Sequence, residues 1–184
     1  MSTAIADETA VVPEGTWKSD PVHSWVGFQV RHMAVSNFRG EVPSFDVTVT
    51  SENGAVSLGG SAPVASITTR DENLTAHIAS PDFFDAAQHP EITLDASSVG
   101  LDRDGELLVE GTLTMRGTTK PIRLRGTVSE PAEDPYGMTR VGLELSGVVD
   151  RRDYGMGWQA PLPGGGLALG HEVTVSAQIE LVRQ

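Results

Sequence analysis

Five histidines, His23, His32, His77, His89 and His171, are the side chains of this 184-residue sequence best suited to hold a metal ion or move a proton, because imidazole titrates near neutrality and is the commonest metal ligand. Their spacing argues against a shared ion. His23 and His32 are an odd number of residues apart, so on one unbroken strand they face opposite sides. No H-E-x-x-H or other tight chelating pair occurs. Ser24 beside His23 has the types of a nucleophile and its base, but strand neighbours point apart and no G-x-S-x-G turn surrounds the serine. In DRRDYG, Asp150 to Gly155, Arg151 and Asp153 are read as an ion pair that fixes a loop. The glycine run of PLPGGGLALG, Pro161 to Gly170, lacks both a phosphate-loop lysine and dinucleotide spacing, which leaves a flexible connection at a pocket mouth. Without cysteine there is no thiolate chemistry and no disulfide. The expectation is therefore no catalytic residue, no metal and no cofactor.

The elements that would position any site are short runs alternating with period two. DPVHSWVGFQVRHM, Asp20 to Met33, gives Ser24, Val26, Phe28, Val30 and His32 on one face and His23, Trp25, Gly27, Gln29 and Arg31 on the other, the pattern of a half-buried strand. SFDVTVT sets Phe45, Val47 and Val49 on one side, APVASITT is read as a strand ending near Thr69, and EITLDASSV is read as a strand over 91–99. ELLVEGTLTMRG presents Leu107, Val109, Leu113 and Met115, and KPIRLRGTV presents Ile122, Leu124 and Val128. RVGLELSGVV presents Val141, Leu143, Leu145 and Val149, and HEVTVSAQIELV alternates most clearly, from Val173 to Leu181. These eight one-sided strands predict an all-β protein, an eight-stranded antiparallel barrel, since closure removes unpaired sheet edges.

One stretch, TRDENLTAHIASPDFFDAAQHPE, breaks the alternation. Asp71 can cap a helix carrying Leu74 and Ile78, and Ser80-Pro81 can open a second short one carrying Phe83 and Phe84. A helical insertion is expected over 71–87, its apolar residues covering one end of the barrel as a lid or plug. A barrel of this size can be filled by its own side chains or can hold one small ligand. Alternation reports burial rather than a void, so both interiors remain open at this level.

A composition that is 39% hydrophobic suffices for one core, and a single domain is expected over 15–184 behind a flexible lead-in, 1–14. Thirteen basic against 25 acidic residues leave a net charge of −12, which repels nucleic acid and disfavours anionic lipid. No apolar run approaches the roughly 20 residues of a membrane-spanning helix. The N-terminal MSTAIADETAVVPEG has neither a basic region nor an apolar core, so a cytoplasmic location is expected. Trp25 on the outer face makes a homodimer an expectation too.

Six blocks in order carry a resemblance: WKSDPVHSWVGFQVRH (Trp17 to His32), SITTRDENL (Ser66 to Leu74), SPDFFD with HPEIT (from Ser80), GTLTMRGTTK (Gly111 to Lys120), RRDYG (Arg151 to Gly155) and GHEV (Gly170 to Val173). From Trp17 onward the chain resembles the YceI-like family of polyisoprenoid-binding, lipocalin-like proteins. The resemblance implies a barrel with a long apolar lumen, non-enzymatic binding, storage or transport of an isoprenoid, isoprenoid quinone or related lipid or amide, and no catalytic residues. Many members are exported, whereas no signal peptide is visible here. Val26, Phe28, Val30, Phe45, Leu74, Ile78, Phe83, Phe84, Leu113, Met115, Leu143 and Leu145 are the expected ligand contacts, with His32 near a mouth where it can hydrogen-bond a headgroup. The rival readings are an enzyme acting on such a lipid and an interaction module with a filled barrel.

Overall fold

The computed structural model describes residues 11–184. Its strands are β1 (Gly15–Ser19), β2 (Trp25–His32), β3 (Ser36–Glu41), β4 (Asp46–Glu52), β5 (Ala55–Pro63), β6 (Glu91–Leu101), β7 (Leu107–Met115), β8 (Thr118–Val128), β9 (Ala132–Glu133), β10 (Thr139–Asp150) and β11 (Leu169–Arg183), with one α-helix, α1 (Glu72–Ala79), among the described residues. Antiparallel pairing runs β1-β4-β5-β6-β7-β8-β10-β11, and β11 returns to β1, closing an eight-stranded barrel. The long β11 makes this closure possible. Along one edge it pairs with β10, while along the other it pairs with β2 over Leu169–Gln178 and with β1 over Leu181–Arg183. β1 and β2 thus form one broken strand, interrupted between Asp20 and Ser24. β3 folds back on β2, and α1 sits beyond it, where an isolated bridge joins Glu41 to Thr68.

Glycines let the strands bend into this ring. A Cβ at Gly126 would sit 1.7 Å from the Glu144 carbonyl oxygen, and one at Gly111 would sit 2.2 Å from that of Asp95. Only a residue without a side chain permits such close backbone approach at a barrel corner.

Several expectations are corrected. APVASITT is not a strand: β5 lies upstream, ends at Pro63, which has no N–H to donate, and passes into a 3-10 turn at Val64–Ser66. The apolar spacing of Val64 and Ile67 is that of the turn. The second helix is absent: past Pro81 the Phe83 and Asp85 N–H groups both turn back on the Ser80 carbonyl, and Asp85 is left-handed (φ +49°), so Phe83 and Phe84 lie in overlapping turns instead. The first helix is as expected, with the Asp71 carboxylate accepting from the Leu74 N–H at 2.9 Å. Of the expected flexible lead-in, residues 1–10 lie outside the described residues. Val12 beyond them is a core residue at 1% exposure, and its carbonyl accepts from the buried Ser51 hydroxyl at 3.0 Å.

One end of the barrel is solid. Trp17, Leu107, Val109 and Leu181 are wholly buried there, and the Trp17 indole N–H donates to the Pro13 carbonyl at 2.9 Å. Nearby, where β1 gives way to β2, a charged knot ties the break to the wall. The Arg140 guanidinium donates to Asp134 at 2.8 Å and to Asp20 at 2.7 Å, and it also reaches Glu180. His23 lies in the exposed turn rather than on a strand, with Nδ1 3.0 Å from Asp20 Oδ2. Asp20, His23 and Glu180 are close enough to share a cation, and the cation between the two carboxylates is Arg140.

The knot has a pH signature. Arg140, then His23, holds the Asp20 carboxyl well below the usual range, and the Met138 N–H, then Arg140, lowers Asp134. A carboxylate whose pKa is depressed by folding stabilises the fold above its unfolded pKa near 3.9 and loses that contribution as pH falls toward the folded value. His23 is raised by Asp20 and acts oppositely, its contribution fading as pH rises through its folded pKa. Urea midpoints should therefore fall steeply below about pH 4, and Arg140→Gln should flatten that acid limb. An unchanged slope in Arg140→Gln would show that the knot does not set acid stability.

Candidate functional site

Above the solid base the barrel is hollow. The cavity measures about 540 Å³, within the roughly 300–1,000 Å³ of small-molecule sites. Antiparallel register explains its wall. Val26, Phe28 and Val30 of β2 pair with Ala177, Val175 and Val173 of β11, which pair in turn with Leu145, Gly147 and Val149 of β10, so one inward face runs across three strands. The Phe28 ring lies over Gly40 of β3, where a Cβ would meet it at 2.3 Å.

Most of the expected contacts come together here. Val26, Phe28 and Val30 line the lumen, as do Phe45, Leu113, Met115 and Leu145, and His32 lines it at the far end of β2. From the insertion, Leu74, Ile78, Phe83 and Phe84 reach it as well, Ile78 buried and Leu74 half-exposed at the mouth. Leu143 does not. It is 2% exposed within the solid base, paired with Ile179 and Val128, because alternation assigns a face and not a depth along the barrel axis.

Other wall residues were not among the expected contacts. Ile92 and Leu94 come from β6, whose alternation simply continues, and Trp158 comes from a loop with no periodicity to reveal it. Trp158 meets His77 edge-on at 4.9 Å, His77 meets Phe83 at 5.0 Å, and His77 Nε2 lies 2.8 Å from Asp82. Together these rings join α1 to the 155–168 loop across the mouth. The Arg116 guanidinium supports both sides, donating to the carbonyls of Gly155 and Pro81.

Arg151 departs most from expectation. It is 3% exposed, borders the cavity, and forms no ion pair with Asp153. Its guanidinium instead donates to four backbone carbonyls, of Met156, Trp158, Leu169 and Gly170, at 2.5 to 3.1 Å. Burial pushes its pKa down, although a guanidinium stays charged. The neighbouring salt bridge is Arg152 with Asp150, whose carboxyl it pulls to about 2. Arg151 thus pins the loop carrying Trp158 to the start of β11, and the Gln159 side-chain amide adds a two-way clasp with Leu169. The glycine run lies between these anchors, beside the mouth.

The model of the YceI-like domain matches residues 17–181. The chain belongs to the YceI-like family. Protein YceI of Escherichia coli O157:H7 is 30% identical over 155 residues, 83% of this chain and 78% of that protein. Among solved structures, the YceI-like fold recurs in BcnA of Burkholderia cenocepacia, with a TM-score of 0.74 at 20% identity over 88% of this chain and 98% of that one. A polyisoprenoid binding domain from Saccharophagus degradans, implicated in plant cell wall breakdown, superposes with a TM-score of 0.66 at 12% identity, covering 91% of this chain and 98% of that one.

Proposed function

We propose that the chain binds a long-chain apolar ligand of isoprenoid type in this cavity, for storage or transport, and performs no chemistry on it. The observation that carries this reading is the lumen wall of valine, leucine, isoleucine, phenylalanine and methionine above a solid base. Each methylene moved from water into such a wall gains about 0.8 kcal/mol. At roughly 30 Å³ per water-sized group, 540 Å³ holds about 18 carbon-sized groups, or about three or four isoprene units. The polyisoprenoid binding domain among the structural neighbours supports the same ligand class. A quinone ring or a polar headgroup would rest at the mouth, beside His77 and Trp158.

Solvent extraction of the purified protein followed by mass spectrometry tests the reading, together with titration of N-phenyl-1-naphthylamine, a probe that fluoresces in apolar sites. A long-chain lipid in the extract and saturable probe binding displaced by farnesol are expected. Neither being found would overturn it. Phe28→Ala separates a pocket wall from a core. It should weaken the probe about tenfold yet cost less than the roughly 3–5 kcal/mol of a phenylalanine removed from a packed core. A full core penalty with unchanged probe affinity would count against the lumen as a site.

A further inference from the structure

A glycine in a strand interior gives up side-chain packing, and it marks a bulge, a tight bend, a backbone that passes close by, or a ligand that does. At Gly60 of β5 the structure removes the first three. Its pairing runs in unbroken register on both sides, with Val47 of β4 and with Leu94 of β6, so there is no bulge. Its φ lies outside the left-handed region, so the backbone there suits an ordinary side chain. A Cβ at Gly60 would meet nothing nearer than the Leu94 Cβ at 3.7 Å, the Asp46 carbonyl oxygen at 3.8 Å and a Val47 methyl at 3.9 Å, all ordinary contacts. Bends that need glycine look different. At Gly147, as at Gly111 and Gly126, the added atom would strike a carbonyl oxygen, here that of Arg123 at 2.8 Å.

What the missing side chain leaves open is the lumen. Gly60 lines the cavity together with its strand partners Val47 and Leu94, and the inward positions before and after it on β5, Leu58 and Ala62, line it too. The wall is one side chain short at this point, a hollow framed by those four residues. A straight polymethylene chain running past has nothing to put there, and an empty hollow forfeits the contacts of the atoms around it. An isoprenoid chain carries a methyl on every fourth carbon, and one such branch fits the hollow against the Gly60 Cα. Gly59 supplies the comparison: it lies on the outer face of the same strand, where a Cβ would likewise meet nothing within 4 Å, and it does not border the cavity.

We propose that Gly60 is the residue by which the lumen selects branched chains: a methyl branch of the bound lipid enters the hollow at its Cα, and a straight chain leaves it empty. The proposal rests on the lipid-binding reading and adds the wall position that discriminates among lipids. Displacement of N-phenyl-1-naphthylamine by farnesol and by 1-pentadecanol tests it, since the two alcohols have equal carbon counts and differ in branching. Burial alone does not favour the branched one. Farnesol should nonetheless bind the unmodified chain more tightly. Gly60→Ala places a methyl where the geometry admits one, so it should cut farnesol's advantage about tenfold while 1-pentadecanol changes little. Gly60→Val should abolish the advantage, and Gly59→Val should leave both affinities as they were. Gly60→Ala should also hold or raise the melting temperature, because alanine suits a strand better than glycine, a combination that misfolding cannot produce. Farnesol binding no more tightly than 1-pentadecanol to the unmodified chain would overturn the proposal. So would a ratio of the two affinities that Gly60→Ala leaves unchanged. In both cases the probe is still displaced and the lipid-binding reading stands. No saturable probe binding to the unmodified chain would instead remove that reading, and the role of Gly60 with it.

Discussion

Leu145→Asp is expected to abolish binding of an apolar probe and to invert the pH dependence of stability. Leu145 is 6% exposed deep in the lumen, with Ala177 and Gly126 as its strand partners. The buried cation Arg151 follows six positions along the chain, about 20 Å away at a strand's rise per residue, and is already committed to carbonyls. A carboxylate at 145 would have no partner, so burial would raise its pKa. Folding would then be favoured where the group is protonated, and stability would decline as pH rises through the unfolded value near 3.9. The unmodified chain, with its lowered aspartates, should do the opposite over the same range. Urea midpoints from pH 3 to 7, with probe titrations on the same preparations, read both effects. A variant that binds the probe normally with an unchanged pH profile would mean that position 145 faces neither the ligand nor a dry interior.

Arg151→Ala is expected to cost about 3–5 kcal/mol, since it strands four carbonyls at about 1–3 kcal/mol for each one that water does not reach. That is a large share of the roughly 5–15 kcal/mol holding a typical domain together. Arg151→Lys should recover less than half, because one ammonium cannot span four acceptors placed around a planar fork. Probe affinity should fall with the loss of the Trp158 loop's anchor at the mouth. If Arg151→Met proved as stable as the unmodified chain, the guanidinium would not be the pin the geometry shows. Denaturant unfolding of the three variants decides this.

What the sequence disclosed, and what it hid, follows from the range of the forces involved. The strands now seen as β2, β7, β8, β10 and β11 were legible because each turns one apolar face to the barrel interior along most of its length, and α1 because Asp71 caps it in sequence as well as in space. β1 and β3 were not, since Trp17 is the buried apolar residue of one and Phe38 the half-buried apolar residue of the other, too few to alternate. The lumen face was readable while its depth was not, hence Leu143. Arg151 was misread as an ion pair because its partners are backbone carbonyls from positions 156 to 170, to which no side-chain pattern points.

The way β11 closes the ring has a consequence in time. Trp17 must find Arg183 across nearly the whole described chain before the eight strands become a barrel, and pairings so distant in sequence make folding slow. Until they meet, the wall is an open, curved sheet with its apolar side bare. On the ligand-binding proposal, an apolar molecule present during that interval would be wrapped by the closing strands rather than threaded through the finished mouth, and the order in which ligand and β11 arrive would set whether the protein starts out loaded or empty.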